Sequence, residues 1–173
     1  CMAVEYVEKF YGRFSAFYDA IFNIDVFNNG RGVALKFLDL TPGDQLLEVG
    51  IGTGLSLPLL PKTIEMTGID ISQEMLAYAR KRMESLGAHN VRVLEMDALH
   101  LEFSDNTFDR ILAAYFISTV PDPVGAIREM KRVCRPGGHL VFLNHFQYKI
   151  PIIGFLEKLF SPLFCLFGFQ TNI

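Results

Sequence analysis

The nine residues from Leu46 to Gly54, LLEVGIGTG, constrain this chain more than any other stretch, because they describe a buried strand ending in a turn that glycine favours. Leu46, Leu47 and Val49 supply the apolar run. Gly50, Gly52 and Gly54 let the backbone turn tightly, with no side chain between it and a ligand. A second apolar run, Ile64 to Ile69, ends on Asp70. That acid stands about 20 residues beyond the first glycine, the separation at which a carboxylate reaches a ribose diol. The pair predicts a site for a ligand that contains a nucleoside.

The spacing also separates cofactor classes. A dinucleotide fingerprint, G-x-G-x-x-G, places a glycine at position 55, where it permits close helix packing beside a pyrophosphate, and Leu55 stands there instead. A nucleoside cofactor without a pyrophosphate, S-adenosyl-L-methionine, does not require that glycine. An ordinary strand-to-helix turn is also rich in glycine, so it is the acid at the correct distance that argues for a ligand.

At 173 residues, half of them hydrophobic, the chain is expected to form one domain with a proper core. A net charge of -3 gives no general attraction to nucleic acid. Arg80-Lys81-Arg82 and Lys131-Arg132 read as solvated helix faces. Cys1, Cys134 and Cys165 form an odd set without C-x-x-C spacing, which argues against a zinc knuckle or disulfide framework and for a reducing cytoplasm. His89, His100, His139 and His145 lack the helical pairing of a metal site, so no metal is expected. Glu5, Glu8 and Lys9 interrupt the early apolar residues, and no cleavable secretory pattern is expected.

Val4, Val7, Phe10, Phe14, Phe17 and Ile21 recur at helical spacing, predicting an amphipathic helix over 3–22 and a shorter one from Gly30 to Leu38. Residues 1–40 are thus expected to form an N-terminal helical lid on an α/β core over 41–150. Within that core, Ser72 caps a helix that Gly87 stops, and Asp122 followed by Pro123 starts another that runs to about Val133. Strands are predicted over 91–96, over 108–113 and, after a turn at Arg135 to Gly138, over 139–144. Strands separated by helices imply a doubly wound, mainly parallel sheet with its ligand beyond the carboxyl ends of the strands.

In EVGIGTG, GIDIS at 68–72, MDA at 96–98, FDRILAAY at 108–115 and RPGGHLVFLNH at 135–145, the chain resembles the class I S-adenosylmethionine-dependent methyltransferases, which have a Rossmann-like fold. Within that class YGRFSAFYD, GTGLSLPLL, MDALHL, VPDP and CRPGG followed by NHF are similar to the soluble bacterial phosphatidylethanolamine N-methyltransferases. Quinone and menaquinone C-methyltransferases share the general core. The resemblance implies S-adenosyl-L-methionine as cofactor and S-adenosyl-L-homocysteine as product. It also implies a cofactor site at Tyr18, Glu48, Gly50, Gly52, Asp70, Ile71, Met96, Asp97, Ala98 and Ala114. Asp70 would take the ribose hydroxyls, Ile71 and Met96 the two adenine faces, Asp97 the adenine amino group, and Tyr18 would close over the methionine end. A complete sheet of this class ends in two further strands. Residues 145–173 contain no convincing strand pair, so the fold is expected to lack them and to end in an apolar helix over 151–173.

Methyl transfer from a sulfonium needs collinear donor and acceptor and exclusion of water more than it needs a dedicated acid. An ethanolamine ammonium must still lose a proton before it attacks, which makes Tyr18 and His145 the candidate catalytic residues, with Tyr115 and Asn144 nearby. Aromatic faces at Tyr11, Tyr18, Tyr115 and Phe146 suit a quaternary ammonium product. Ten of the sixteen phenylalanines fall in the two terminal segments. Interfacial helices carry such residues, and packing on the sheet explains them equally well. The expected partner is a phospholipid head group, with peripheral contact at the inner membrane surface. A quinone or other small-molecule acceptor, and a cofactor-binding module without catalysis, are the alternatives.

Overall fold

The computed structural model describes the backbone of residues 25–144 and the side chains of residues 30–144. A helix, α1 (Asp25–Phe37), precedes β1 (Gln45–Val49). There follow β2 (Glu65–Asp70), α2 (Gln73–Leu86), β3 (Val91–Glu95), β4 (Phe108–Ala114), α3 (Pro123–Val133) and β5 (Cys134–Leu143). The five strands are all parallel in the order β3-β2-β1-β4-β5. The order reverses between β1 and β4, which is where a doubly wound sheet leaves a crevice at its carboxyl edge. The expected fold class is therefore the observed one. The helix expected over 3–22, the apolar helix over 151–173 and the question of two further strands lie outside the described residues.

Burial on both faces explains why the central strand β1 reads as a continuous apolar run. Leu46 joins Ala34 and Leu35 of α1, Leu38 just beyond it, and Leu76 and Ala79 of α2 in one core. Leu47 and Val49 join Ala126, Met130 and Val133 of α3 in the other. Leu46, Leu47 and Val49 are completely buried, each contributing about 1.5–3 kcal/mol of apolar burial. Glu48 alone breaks the pattern, between Gly68 of β2 and Leu112 of β4.

The helix ends follow local chemistry. The Ser72 hydroxyl accepts from the Met75 amide, and Gly87 closes α2 in the left-handed region at φ 59°. Asp122 accepts from the Gly125 amide and Pro123 opens α3. Two boundaries differ from the sequence reading. α1 begins at Asp25, so that Gly30 lies within the helix instead of starting it. β5 begins at Cys134, which pairs with Phe108, and the RPGG segment bulges before His139 pairs with Arg110. Strand pairing brackets what looked like a separate turn.

Candidate active site

The turn after β1 is pinned to the tip of β2. The Gly50 and Ile51 amides both donate to the Ile69 carbonyl at 2.9 Å, and the Gly52 amide donates to Asp70 Oδ2 at 2.9 Å. On its outer side Arg82 of α2 donates to the Thr53 carbonyl at 2.7 Å. Gly50 and Gly52 have φ of 73° and 57°, where an L side chain is strained. They are glycine for different further reasons. A Cβ on Gly50 would lie 2.5 Å from the Phe116 ring, whereas a Cβ on Gly52 would meet nothing within 4 Å. The turn thus packs against the β4 loop at one glycine and leaves its backbone open at the other.

A cleft opens at this edge of the sheet, with Gly50, Gly52, Asp70, Ile71, Ser72 and Met75 on one side. Met96, Asp97, Ala98 and Leu99 follow β3; Ala114 ends β4, and Tyr115, Phe116, Thr119, Val120 and Pro121 follow it. Asp70 accepts from Ser72 N through Oδ1 at 3.0 Å as well as from Gly52 through Oδ2. Burial pushes its carboxyl above the usual range, and these amides oppose that shift. An ionised carboxylate held this way keeps lone pairs for further donors. Asp97 accepts from the Leu99 amide through Oδ1 at 2.9 Å and shapes the turn after β3.

Glu48 does not line the cleft. It is 2% exposed, accepts a hydrogen bond from the Ser56 hydroxyl, and is pushed up to about 7 by burial. Ser56 and the nearby positive charge of Arg31 act against that rise. Arg31 of α1 is itself buried, and its guanidinium stands 5.0 Å from the centre of the Tyr115 ring. Tyr115 directly follows β4 at φ 59°, a left-handed conformation that a bulky residue rarely takes, with its amide donating to the Leu143 carbonyl at 2.6 Å.

Of the ten residues assigned to the cofactor, the structure brings eight to the cleft: Gly50, Gly52, Asp70, Ile71, Met96, Asp97, Ala98 and Ala114. Glu48 stands apart, and Tyr18 lies outside the described residues, as does His145. Asn144 is described, and its side chain accepts from the Ser118 hydroxyl at 3.3 Å. The sequence reading missed Met75, Phe116, Thr119, Val120 and Pro121. The signal for the last four was their position directly after a strand at the switch point. Among the described residues no cluster of His, Cys, Asp and Glu could hold a metal ion, and no helix is long and apolar enough to cross a membrane.

Residues 47–142 match the family model described as a methyltransferase domain. A phosphatidylethanolamine N-methyltransferase of Cereibacter sphaeroides is 51% identical over 131 residues, 75% of this chain and 64% of the relative. A demethylmenaquinone methyltransferase of Staphylococcus aureus is 34% identical over 155 residues, 86% of this chain and 64% of the relative. The chain thus spans under two thirds of the length of these curated relatives. A SAM-dependent methyltransferase of Aquifex aeolicus superimposes with a TM-score of 0.61 at 26% identity, over 74% of this chain and 77% of that one.

Proposed function

Since this chain belongs to the methyltransferase domain family, we propose that it transfers a methyl group from S-adenosyl-L-methionine to the amine of phosphatidylethanolamine. The observation that carries the methyl-transfer reading is the coupling of the Gly52 amide to the Asp70 carboxylate at the topological switch point. The cleft fits the cofactor because Gly52 leaves a cradle that a Cβ would fill, and because acids stand in the cleft wall at the ends of β2 and β3. Asp70 holds the ribose hydroxyls, Asp97 the adenine amino group, and Ile71 and Met96 the faces of the base. When bound, S-adenosyl-L-methionine supplies an electrophilic methyl on a sulfonium.

The protein's own work is orientation, dehydration and movement of one proton. The apolar wall of Phe116 and Val120 excludes water from the region beside the glycine turn. Burial moves the pKa of the Tyr115 phenol still further above neutrality, so the phenol stays protonated and is not the base. The ethanolamine ammonium loses its proton to His145, with Tyr18 closing over the donor.

The higher identity to the phosphatidylethanolamine enzyme supports the phospholipid acceptor, and a lipid acceptor would bring the protein to a membrane surface. The phenylalanines of the terminal segments agree with contact at that face. The test is incubation of the protein and labelled S-adenosyl-L-methionine with phosphatidylethanolamine vesicles or with demethylmenaquinol, followed by mass spectrometry. Methylated lipid is expected. Methylated quinone alone moves the acceptor to the quinone class, and cofactor binding with no product from either describes a binding module.

A further inference from the structure

Gly30 occupies a costly position for its residue type. It lies inside α1, where alanine is favoured over glycine, so the helix itself gives no reason for it. The reason is across the cleft wall. A Cβ on Gly30 would stand 2.7 Å from the Tyr115 hydroxyl oxygen, well inside contact distance.

The tyrosine has little freedom to move aside. Its backbone is left-handed, its amide is bonded to Leu143, and its ring lies beneath the buried Arg31 guanidinium from the same helix. That guanidinium occupies one face of the ring. Leu143 also borders the Gly30 position, 3.4 Å from the same Cβ site. One residue of α1 thus makes room for the ring and the next covers it.

We propose that Gly30 and Arg31 are positioning residues that act through Tyr115, fixing it as the wall of the cleft against which the methyl acceptor is oriented. The inference rests on the methyl-transfer reading of the cleft. Strained backbone at a strand tip persists when its surroundings hold it, and here α1 supplies the holding contacts. The cofactor residues Asp70, Ile71, Asp97 and Ala98 stand at the ends of β2 and β3, so loss of the latch should reach the acceptor before it reaches the cofactor.

The test is a cycle of Gly30→Ala, Tyr115→Phe and the double variant in the whole chain, read in thermal unfolding and in methyl transfer. Tyr115→Phe removes the oxygen that the new methyl group would strike. Gly30→Ala should therefore lower Tm in the wild-type background and raise it in the Tyr115→Phe background, where only the helical gain of alanine is left. In transfer to phosphatidylethanolamine vesicles, Gly30→Ala should cut kcat by about tenfold or more and leave the S-adenosylhomocysteine Kd within about threefold. Tyr115→Phe should abolish that loss. Equal effects of Gly30→Ala in both backgrounds, in either readout, would overturn the proposal. Because unfolding needs no acceptor, a wild type that leaves the vesicles unmethylated defeats the phospholipid reading, and the unfolding cycle still decides the latch.

Discussion

The Gly52 amide and the Asp70 carboxylate are joined by a hydrogen bond of 2.9 Å, so the glycine turn and the acid form one unit. Each oxygen of Asp70 accepts from a different backbone amide, Gly52 on one side and Ser72 on the other. The carboxylate is thereby oriented in advance of any ribose. Asp70→Ala should weaken S-adenosylhomocysteine binding by roughly 1.5–3 kcal/mol, because hydrogen bonds to a charged acceptor are the stronger kind. Asp70→Asn should fail to rescue it, since an amide can accept on only one side and would turn an NH2 toward an N–H on the other. Calorimetric titration checks both, and near-wild-type affinity in Asp70→Asn would contradict the two-amide arrangement.

The two glycines of the turn should separate folding from binding. Alanine at position 50 meets the Phe116 ring in addition to its left-handed strain, and should cost more than the roughly 1–2 kcal/mol of the strain alone. At position 52 only the strain applies, and the added methyl stands in open space beside the cleft. Urea unfolding is expected to find Gly50→Ala the less stable, and titration to find that Gly52→Ala loses affinity beyond its loss of stability. The reverse order in either measurement contradicts the geometry.

Glu48 gives the protein a pH dependence of definite sign. Its folded pKa of about 7 exceeds the ordinary 4.5, so the folded state holds the proton more tightly than the unfolded chain does. The stabilising effect of that proton is fully present below about 4.5 and is lost as pH rises to about 7. The loss amounts to roughly 3 kcal/mol, on the order of 1.4 kcal/mol for each pKa unit. Glu48→Gln keeps a partner for Ser56 and cannot ionise, so its urea-unfolding free energy should be flatter between pH 5 and pH 8 than that of the wild type. Equal slopes would show that another group titrates.

The boundaries that could be read in the chain are those set by neighbours in sequence. Ser72 and Gly87 bound α2, and Asp122 with Pro123 opens α3, because caps satisfy amides and carbonyls within a few residues. The cofactor half of the cleft was legible for a related reason: Gly50, Gly52, Asp70 and Asp97 each sit at a strand end that the apolar runs announce. Gly30 was misread as a helix start because its reason is the Tyr115 hydroxyl, far away in sequence. Phe116 and Thr119 were missed for the same cause. Their place in the wall depends on the packing of the β4 loop against Gly50, which no local pattern encodes.

On this reading, one cleft at the carboxyl ends of β1 to β4 receives the adenosine cofactor. An amide NMR titration with S-adenosylhomocysteine tests it most directly, because every wall residue except Pro121 carries its own backbone probe. The largest shifts are expected at Gly50, Gly52, Asp70, Ile71, Asp97 and Ala98, with little change at Lys131 and Arg132 at the end of α3. Saturable binding that leaves those six amides unmoved would contradict it.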